Sequence, residues 1–345
     1  MEYELKRIFP FDREAAEKNL ALLTREGITA DRNLEYTVGL FTPSGELVAS
    51  GSYFKNTLRC LAVDSRYRGE GLLNALVSHL TGELAGRGVF ELFLYTKYEA
   101  ARYFADLGFY TVAEVDRQVV FMENVKGAFD RYLAEISARK VAAPRVGAIV
   151  MNANPFTLGH QYLAEKAAGE CGVLHLFVVR EDVSAFPYAV RDRLIRQGTA
   201  HLSNVVYHHT GNYVVSSATF PSYFIRDTEE VTRAHARVDA AVFARIARAL
   251  GVTVRYVGDE PFSFATNLYN ETMAERLPAA GVELVVIPRR EDEGLTPISA
   301  SRVREKLLAW DLEGLKPLVP ETTWAFLASE EGKEVAERMR SGGAK

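Results

Sequence analysis

The feature that most constrains this chain lies in its last two-thirds, where short, nearly unbroken apolar runs alternate with longer amphipathic stretches. Val146–Met151, Val173–Val179, Val205–Tyr207, Val252–Val257 and Val282–Ile287 present apolar side chains in both directions from an extended backbone. Strands buried on both faces look like this. Between them, His160–Ala168, Ala189–Ala200, Thr228–Ala249 and Asn270–Leu277 have helical spacing. The alternation predicts a parallel, doubly wound sheet with helices on both faces. A helical tail and a Gly-rich end follow Pro320.

The first third reads differently. Leu34–Phe41 and Leu47–Phe54 flank Thr42-Pro43-Ser44-Gly45 and predict a hairpin. Leu58–Val63 continues as a strand, Leu72 to Leu80 has helical spacing, Phe90–Tyr95 is a further strand, and Ala100–Leu107 is a helix ended by Gly108. From residue 128 to 140 the pattern is helical again, until Ala142-Ala143-Pro144 breaks it. The expected organisation is an α+β unit over 1–127, a helical connector over 128–143, and an α/β unit over 144–345.

Composition narrows the function classes. With 345 residues the chain exceeds one ordinary core. Hydrophobic residues at 48% and charged residues at 25% suit a folded enzyme rather than a disordered chain. A net charge of −4 argues against a nucleic-acid partner, which calls for many phosphate-neutralising cations. No apolar run approaches the roughly 20 residues that span a bilayer, so no membrane role is expected. The opening MEYELKRIFPFDRE lacks the apolar core of a secretory signal, and Cys60 and Cys171 cannot build a disulfide framework or a multi-cysteine zinc site. A cytoplasmic, reduced enzyme is the expectation.

The stretch Asn152-Ala153-Asn154-Pro155-Phe156-Thr157-Leu158-Gly159-His160 follows the first strand of the α/β unit and opens a helix. Gly159 allows close backbone approach, and the first N–H groups of a helix attract phosphate oxygens. Thr157 supplies a hydroxyl and His160 an imidazole within one turn. Taken alone, the stretch reads equally as a helix cap and a half-buried histidine. Near the other end, Ile298-Ser299-Ala300-Ser301-Arg302-Val303-Arg304 begins another helix with two hydroxyls and, a turn later, guanidinium groups. That stretch alone reads as an ordinary capped helix.

Together, in this order and spacing, the two stretches resemble the nucleotidyltransferase superfamily. There a (His/Thr)-x-Gly-His motif and an Ile-Ser-x-(Ser/Thr)-x-x-Arg motif grip the triphosphate of ATP. The resemblance implies that His160 and Thr157 act on the phosphates and that Asn154, Phe156 and Gly159 bind the ATP beside them. It also implies that Ser299, Ser301 and Arg304 hold the outer phosphates, with Mg²⁺ bridging them. Arg180, Asp182 and Arg191 are candidate further contacts to phosphate or magnesium; Arg191 reads equally as a surface charge, and Asp182 with Ser184 as a loop cap. The aromatic segment Tyr213–Phe224 reads either as an acyl pocket or as core packing, and Glu260 is similarly open.

Phe177–Tyr188 followed by Arg191, the aromatic run Gly211–Phe224, and Gly258-Asp259-Glu260-Pro261 followed by Tyr269-Asn270 narrow the match; taken with the leading unit, the whole chain resembles the [citrate (pro-3S)-lyase] ligases. That likeness implies activation of acetate by ATP, then acetylation of a thiol prosthetic group on the citrate lyase acyl carrier subunit. An adenylyltransferase acting on a phosphopantetheine-like or mononucleotide acceptor would show the same phosphate motifs.

In the leading unit, Arg66-x-Arg68-Gly69-x-Gly71 between a strand and a helix resembles the pyrophosphate loop of the GNAT acetyltransferase fold. Tyr103 falls where that fold often places a proton donor. The resemblance leaves three roles open: recognition of a CoA-like arm, acetyl transfer to an amine, or a structural part.

Overall fold

The computed structural model describes residues 2–31, 33–180, 184–216, 229–259, 263–292 and 296–341. The chain divides into two compact units, Met1–Ala128 and Phe129–Lys345.

The first unit is built on a seven-stranded sheet of order β1-β2-β3-β4-β5-β7-β6. Its strands are β1 (Glu4–Arg7), β2 (Tyr36–Phe41), β3 (Leu47–Phe54), β4 (Thr57–Val63), β5 (Phe93–Lys97), β6 (Tyr110–Val115) and β7 (Val119–Glu123). Neighbours are antiparallel except β4 and β5, which run parallel and pair at Thr57–Phe93 and Leu58–Leu94. A helix, α1 (Arg13–Arg25), follows β1, α2 (Leu72–Gly86) follows β4, and α3 (Ala101–Asp106) follows β5. Val38, Leu58, Leu76, Leu80, Leu94 and Met122 share one buried cluster. A single parallel pair inside an otherwise antiparallel sheet, with a helix leaving the first of the two strands, is the GNAT-like arrangement. Gly71, at φ 74, occupies the left-handed backbone region that opens α2.

Two elements here have no clear mark in the sequence. β1 is exposed at every position, so it lacks the apolar alternation that betrays a strand. α1 buries only Leu22 and Leu23.

The second unit has a five-stranded sheet of order β10-β9-β8-β11-β12. These are β8 (Val146–Met151), β9 (Val173–Val178), β10 (Val205–His209), β11 (Val254–Gly258) and β12 (Glu283–Ile287). All their pairings are parallel. The chain builds outward from β8 to β10, then crosses back to β11 on the other side. The order therefore reverses between β8 and β11, the position at which open α/β sheets bind ligands.

Helices of this unit are α4 (Ala128–Ser137), α5 (Leu158–Glu170), α6 (Tyr188–Gly198), α7 (Glu229–Leu250), α8 (Phe264–Arg276), α9 (Ala300–Leu308), α10 (Leu312–Leu315), α11 (Glu321–Leu327) and α12 (Glu330–Arg340). One face of the sheet, carrying Ile149, Leu176, Val254 and Tyr256, shares a core with Ala164 of α5, Leu194 of α6, Val303 and Leu307 of α9, Leu327 of α11 and Val335 of α12. On the other face, the Arg255 guanidinium of β11 lies 4.0 Å from the ring centroid of Phe243 in α7. Helices therefore cover both faces, as the alternation requires.

α8 begins at Phe264, well before the expected Asn270, because Ser263 caps it and the exposed Phe264 obscures the periodicity. The stretch expected as a helical connector forms α4. Its Phe129 and Tyr132 rings stand 4.7 and 5.1 Å from the ring of Tyr213, and the Tyr132 hydroxyl donates to the His209 carbonyl at 3.0 Å.

Candidate active site at the ends of the central strands

The loop after β8 is held by an internal frame. Arg191 of α6 is wholly buried. Its Nε donates to the Phe186 carbonyl at 2.9 Å, and its Nη1 donates to the Val179 carbonyl at 2.7 Å, the Asn152 carbonyl at 3.0 Å and Asn152 Oδ1 at 2.9 Å. This corrects both sequence expectations for Arg191. Its guanidinium is neither offered to a phosphate nor exposed on a helix surface; it ties the ends of β8 and β9 together. Asn154 extends the frame, its Oδ1 accepting from the Phe186 N–H at 3.0 Å.

Phe156 is also fully buried. Its Cε1 lies 2.4 Å from where a side chain on Gly198 would begin, so α6 can pass only because residue 198 is glycine. The ring stacks on His160 at 5.8 Å. The motif puts Phe156 beside the nucleotide, yet the ring packs beneath the histidine and fixes the imidazole from below.

Thr157 caps α5. Its hydroxyl accepts from the His160 N–H at 3.3 Å and lies 2.8 Å from His160 Nδ1, while its own N–H donates to Nδ1 at 3.1 Å. This is a capping box with histidine in the place usually held by glutamate or glutamine. The Thr157 side chain is buried in this cap, which is the helix-cap reading of the stretch; the phosphate contact that the resemblance implies would be made by the groups this cap holds in place.

The same geometry sets the tautomer of His160. Nδ1 accepts a backbone N–H, so a neutral ring carries its proton on Nε2. Burial lowers the imidazole pKa to about 4, with the Arg289 charge adding to the effect. Near neutral pH His160 is therefore an uncharged donor through Nε2. Beside it, the Gly159 N–H has no partner among the described residues.

The second helix start abuts the first. A side chain on Gly159 would meet the Ile298 carbonyl at 3.2 Å. Arg304 donates from Nη1 to the Asn154 carbonyl at 2.6 Å and from Nη2 to Ser301 Oγ at 3.1 Å. Ser299 caps α9, its hydroxyl accepting from the Arg302 N–H at 3.3 Å, so it shapes the helix start. Ser301 is exposed one residue into α9. The N–H groups of Ala300 and Ser301 have no partner among the described residues.

Arg180, at the end of β9, has an exposed guanidinium without a partner among the described residues; its N–H donates to Thr210 Oγ1 at 3.1 Å. Asp182, Glu260 and the greater part of the aromatic segment lie outside the described residues. Its first residues, Tyr213–Val215, are buried, with Tyr213 packed against α4.

Two helix starts adjoin here, at Gly159 and Ile298, each with N–H groups that have no partner among the described residues, and such starts attract anions. Among the described residues no group of three or more His, Cys, Asp or Glu side chains could hold a metal ion, and Mg²⁺ in such sites is commonly held largely by substrate phosphates.

In the first unit, the loop before α2 is laced by carboxylates. Arg66 donates to Asp64 through Nε at 3.1 Å and Nη2 at 2.7 Å, and to Glu46 at 2.5 Å. Arg66 beside it holds the Asp64 carboxyl pKa down at about 2. Arg68 donates to Glu26 Oε2 at 3.1 Å, and the Ser65 N–H to Glu26 Oε1 at 2.9 Å. Both arginines are thus engaged within the protein. The N–H groups of Gly69 and Gly71 have no partner among the described residues. Tyr103 is exposed, and its hydroxyl accepts from Arg102 at 2.7 Å.

Fold and site together define a GNAT-like α+β unit followed by a nucleotidyltransferase-type α/β unit. The family described as "Citrate lyase ligase C-terminal domain" matches residues 146–327. The chain is 38% identical to the [Citrate [pro-3S]-lyase] ligase of Escherichia coli strain K12 over 93% of both chains. It is 41% identical to that of Klebsiella pneumoniae over 81% of this chain and 83% of the other. This chain belongs to the citrate lyase ligase family. Solved structures similar to parts of it include an acyl-CoA N-acyltransferase from Pseudomonas aeruginosa (15% identical, 36% of this chain and 99% of the other, TM-score 0.31). Another is a pantothenate synthetase from Thermus thermophilus (17% identical, 61% and 80%, TM-score 0.36); scores this low carry no part of the assignment. No helix among the described residues is long and apolar enough to cross a membrane.

Proposed function

We propose that this protein uses ATP and Mg²⁺ to activate acetate and passes the acetyl group to the thiol prosthetic group of the citrate lyase acyl carrier subunit. An acetate oxygen attacks the α-phosphorus of ATP, pyrophosphate leaves, and acetyl-adenylate remains. The carrier thiolate then attacks the acetyl carbon and AMP departs. The observation that carries this reading is the contact of the two helix starts, with Gly159 against Ile298 and Arg304 on the Asn154 carbonyl.

The protein's part is positioning and charge stabilisation. His160 presents Nε2–H to a phosphate oxygen, and the Gly159 N–H presents a second donor. The start of α9, with Ser301, holds the outer phosphates, and Arg304 fixes that start against the β8 loop. Arg180 supplies a cation at the end of β9. Thr157, Phe156, Ser299 and Arg191 act through these groups by holding the loop and the imidazole in place. Mg²⁺, held by the phosphates, would neutralise charge on the leaving pyrophosphate.

In the first unit, the N–H groups of Gly69 and Gly71 at the start of α2 would receive the phosphates of the CoA-like arm. Arg66 and Arg68 would keep that loop in shape, since their guanidinium groups are already bound to carboxylates.

The test is ATP–pyrophosphate exchange. Exchange dependent on both acetate and Mg²⁺ supports the reading. Exchange driven instead by a phosphopantetheine or a mononucleotide, with acetate inert, would assign the site to an adenylyltransferase.

A further inference from the structure

Two arginines of the second unit, Arg191 and Arg255, are fully buried. Arg191 donates to the Phe186, Val179 and Asn152 carbonyls and to Asn152 Oδ1. Arg255 of β11 differs. Its Nη2 donates to the Tyr269 hydroxyl at 3.0 Å. Its Nε and Nη1 have no hydrogen-bond partner, and no carboxylate pairs with it, among the described residues. The Phe243 ring centroid lies 4.0 Å from its guanidinium carbon, a contact that uses the flat face of the group and not the N–H groups at its edge. Asp239 of α7, also fully buried, is joined to Arg255 through Tyr269: its Oδ2 accepts from the Tyr269 hydroxyl and its Oδ1 from the Val215 N–H at 2.6 Å. Tyr269 immediately precedes Asn270, whose side chain donates to the Gly258 carbonyl at the carboxyl end of β11 at 3.1 Å. Arg255 itself is level with Ala148 of β8. The cluster therefore lies on the α7 and α8 face, beside the two strands between which the order reverses.

We propose that Arg255 anchors a buried site for a small monocarboxylate, acetate in the reaction read above, whose oxygens accept the N–H groups that the protein leaves unmet. The identity of the acid rests on the reading of the protein as acetate-activating. Buried guanidinium donors without acceptors are costly, and a bound ligand that supplies acceptors removes the cost. A carboxylate is acceptor-only and matches the fork of a guanidinium. The charge count selects a small acid over a nucleotide. One cation with the Asp239 carboxylate a single hydroxyl away tolerates one further negative charge, whereas a polyphosphate would bring several out of water. Tyr269 stays protonated as the bridge, since burial raises its pKa well above the usual tyrosine value.

The test is binding of acetate to the nucleotide-free protein, followed by saturation transfer from the protein to the acetate methyl protons. Arg255→Met, which keeps an unbranched stem in the same space, should weaken acetate by about tenfold or more, and Arg255→Lys should recover part of that loss. In acetate-dependent exchange, Arg255→Met should raise the KM for acetate by a similar factor and change the KM for ATP little. No acetate binding by wild type, or unchanged binding by a folded Arg255→Met, overturns the proposal. Should Arg255→Met fail to fold, Arg255→Lys takes its place in the comparison. Should both fail, wild type deuterated except at its Phe and Tyr rings decides. Saturation should pass to acetate from those rings, two of which, Phe243 and Tyr269, flank Arg255; none passing overturns the proposal. If acetate binds through Arg255 while no acetate-dependent exchange occurs, the functional reading fails and the carboxylate site stands.

Discussion

Arg304 donates a 2.6 Å hydrogen bond to the carbonyl oxygen of Asn154, a residue 150 positions earlier in the chain. One guanidinium thereby fastens the start of α9 to the loop that follows β8, and the candidate phosphate site exists only while those two pieces stay together. A hydrogen bond from a charged donor contributes about 1.5–3 kcal/mol. Replacing Arg304 by Met should therefore raise the KM for ATP by roughly 10–100-fold and lower Tm by a few degrees. Acetate-dependent exchange and thermal unfolding check the two effects separately.

Two substitutions at His160 separate its roles. Asn is short and can keep an acceptor near the position of Nδ1, but it has no donor at the position of Nε2. Gln reaches farther and can place a donor there. His160→Asn should therefore fold normally and lose about 10²–10³-fold in exchange kcat, the usual cost of deleting one transition-state donor. His160→Gln should keep more activity, and because its amide oxygen can take the Thr157 N–H as in an ordinary capping box, stability should change little. Since the pKa of His160 is lowered to about 4, its contribution should add no inflection between pH 6 and 8. Activity should decline through this group only as pH falls toward 4.

Gly159→Ala tests how closely the helix starts must approach. Its new methyl would meet the Ile298 carbonyl at 3.2 Å, a backbone atom that cannot rotate away. The backbone of residue 159 itself lies in a region alanine adopts freely. The expected result is a folded protein, destabilised by about 1 kcal/mol, with weakened ATP binding measured by calorimetry.

His175 and His208 form a buried pair on adjacent strands, His175 Nδ1 lying 2.9 Å from His208 Nε2. Burial lowers their pKa values to about 4 and about 3, and for His208 the neighbouring His175 adds to the effect. An unfolded histidine titrates near 6.5. Between that value and the folded ones the unfolded chain binds more protons, so stability rises with pH across the window. Stability should thus be lost as pH falls from about 6.5 toward 4, at roughly 1.4 kcal/mol per pH unit for each proton taken up. A His175→Leu/His208→Leu variant should show a shallower decline in urea titrations over that window.

In the first unit, Asp64 is fully buried and holds both Arg25, at 2.6 Å, and Arg66. Asp64→Asn should lower the Tm of the protein at pH 7. The sign follows from the carboxyl pKa of about 2 in the folded state. That contribution is present above the unfolded value near 3.9 and disappears as pH falls through 2. The gap between wild type and variant should therefore close in acid.

The β/α alternation of the second unit was legible because parallel strands covered on both faces must be apolar throughout, and that demand is written residue by residue. Its five strands appear where the apolar runs predict them. β1 was not legible, since an exposed edge strand carries no apolar code. The two phosphate stretches were recognisable because cap and glycine requirements are local.

The sequence by itself therefore determined the chain's two-part class and where its candidate phosphate loops lie. Only the tertiary structure decided what each side chain does there. It turned Thr157 inward as a cap, buried Phe156 beneath His160 and enclosed Arg191 as a tie between strands. The physical reason is that strand and helix propensities act over a few neighbouring residues. The partner of a hydroxyl, an imidazole or a guanidinium is chosen by segments that meet only when the sheet closes.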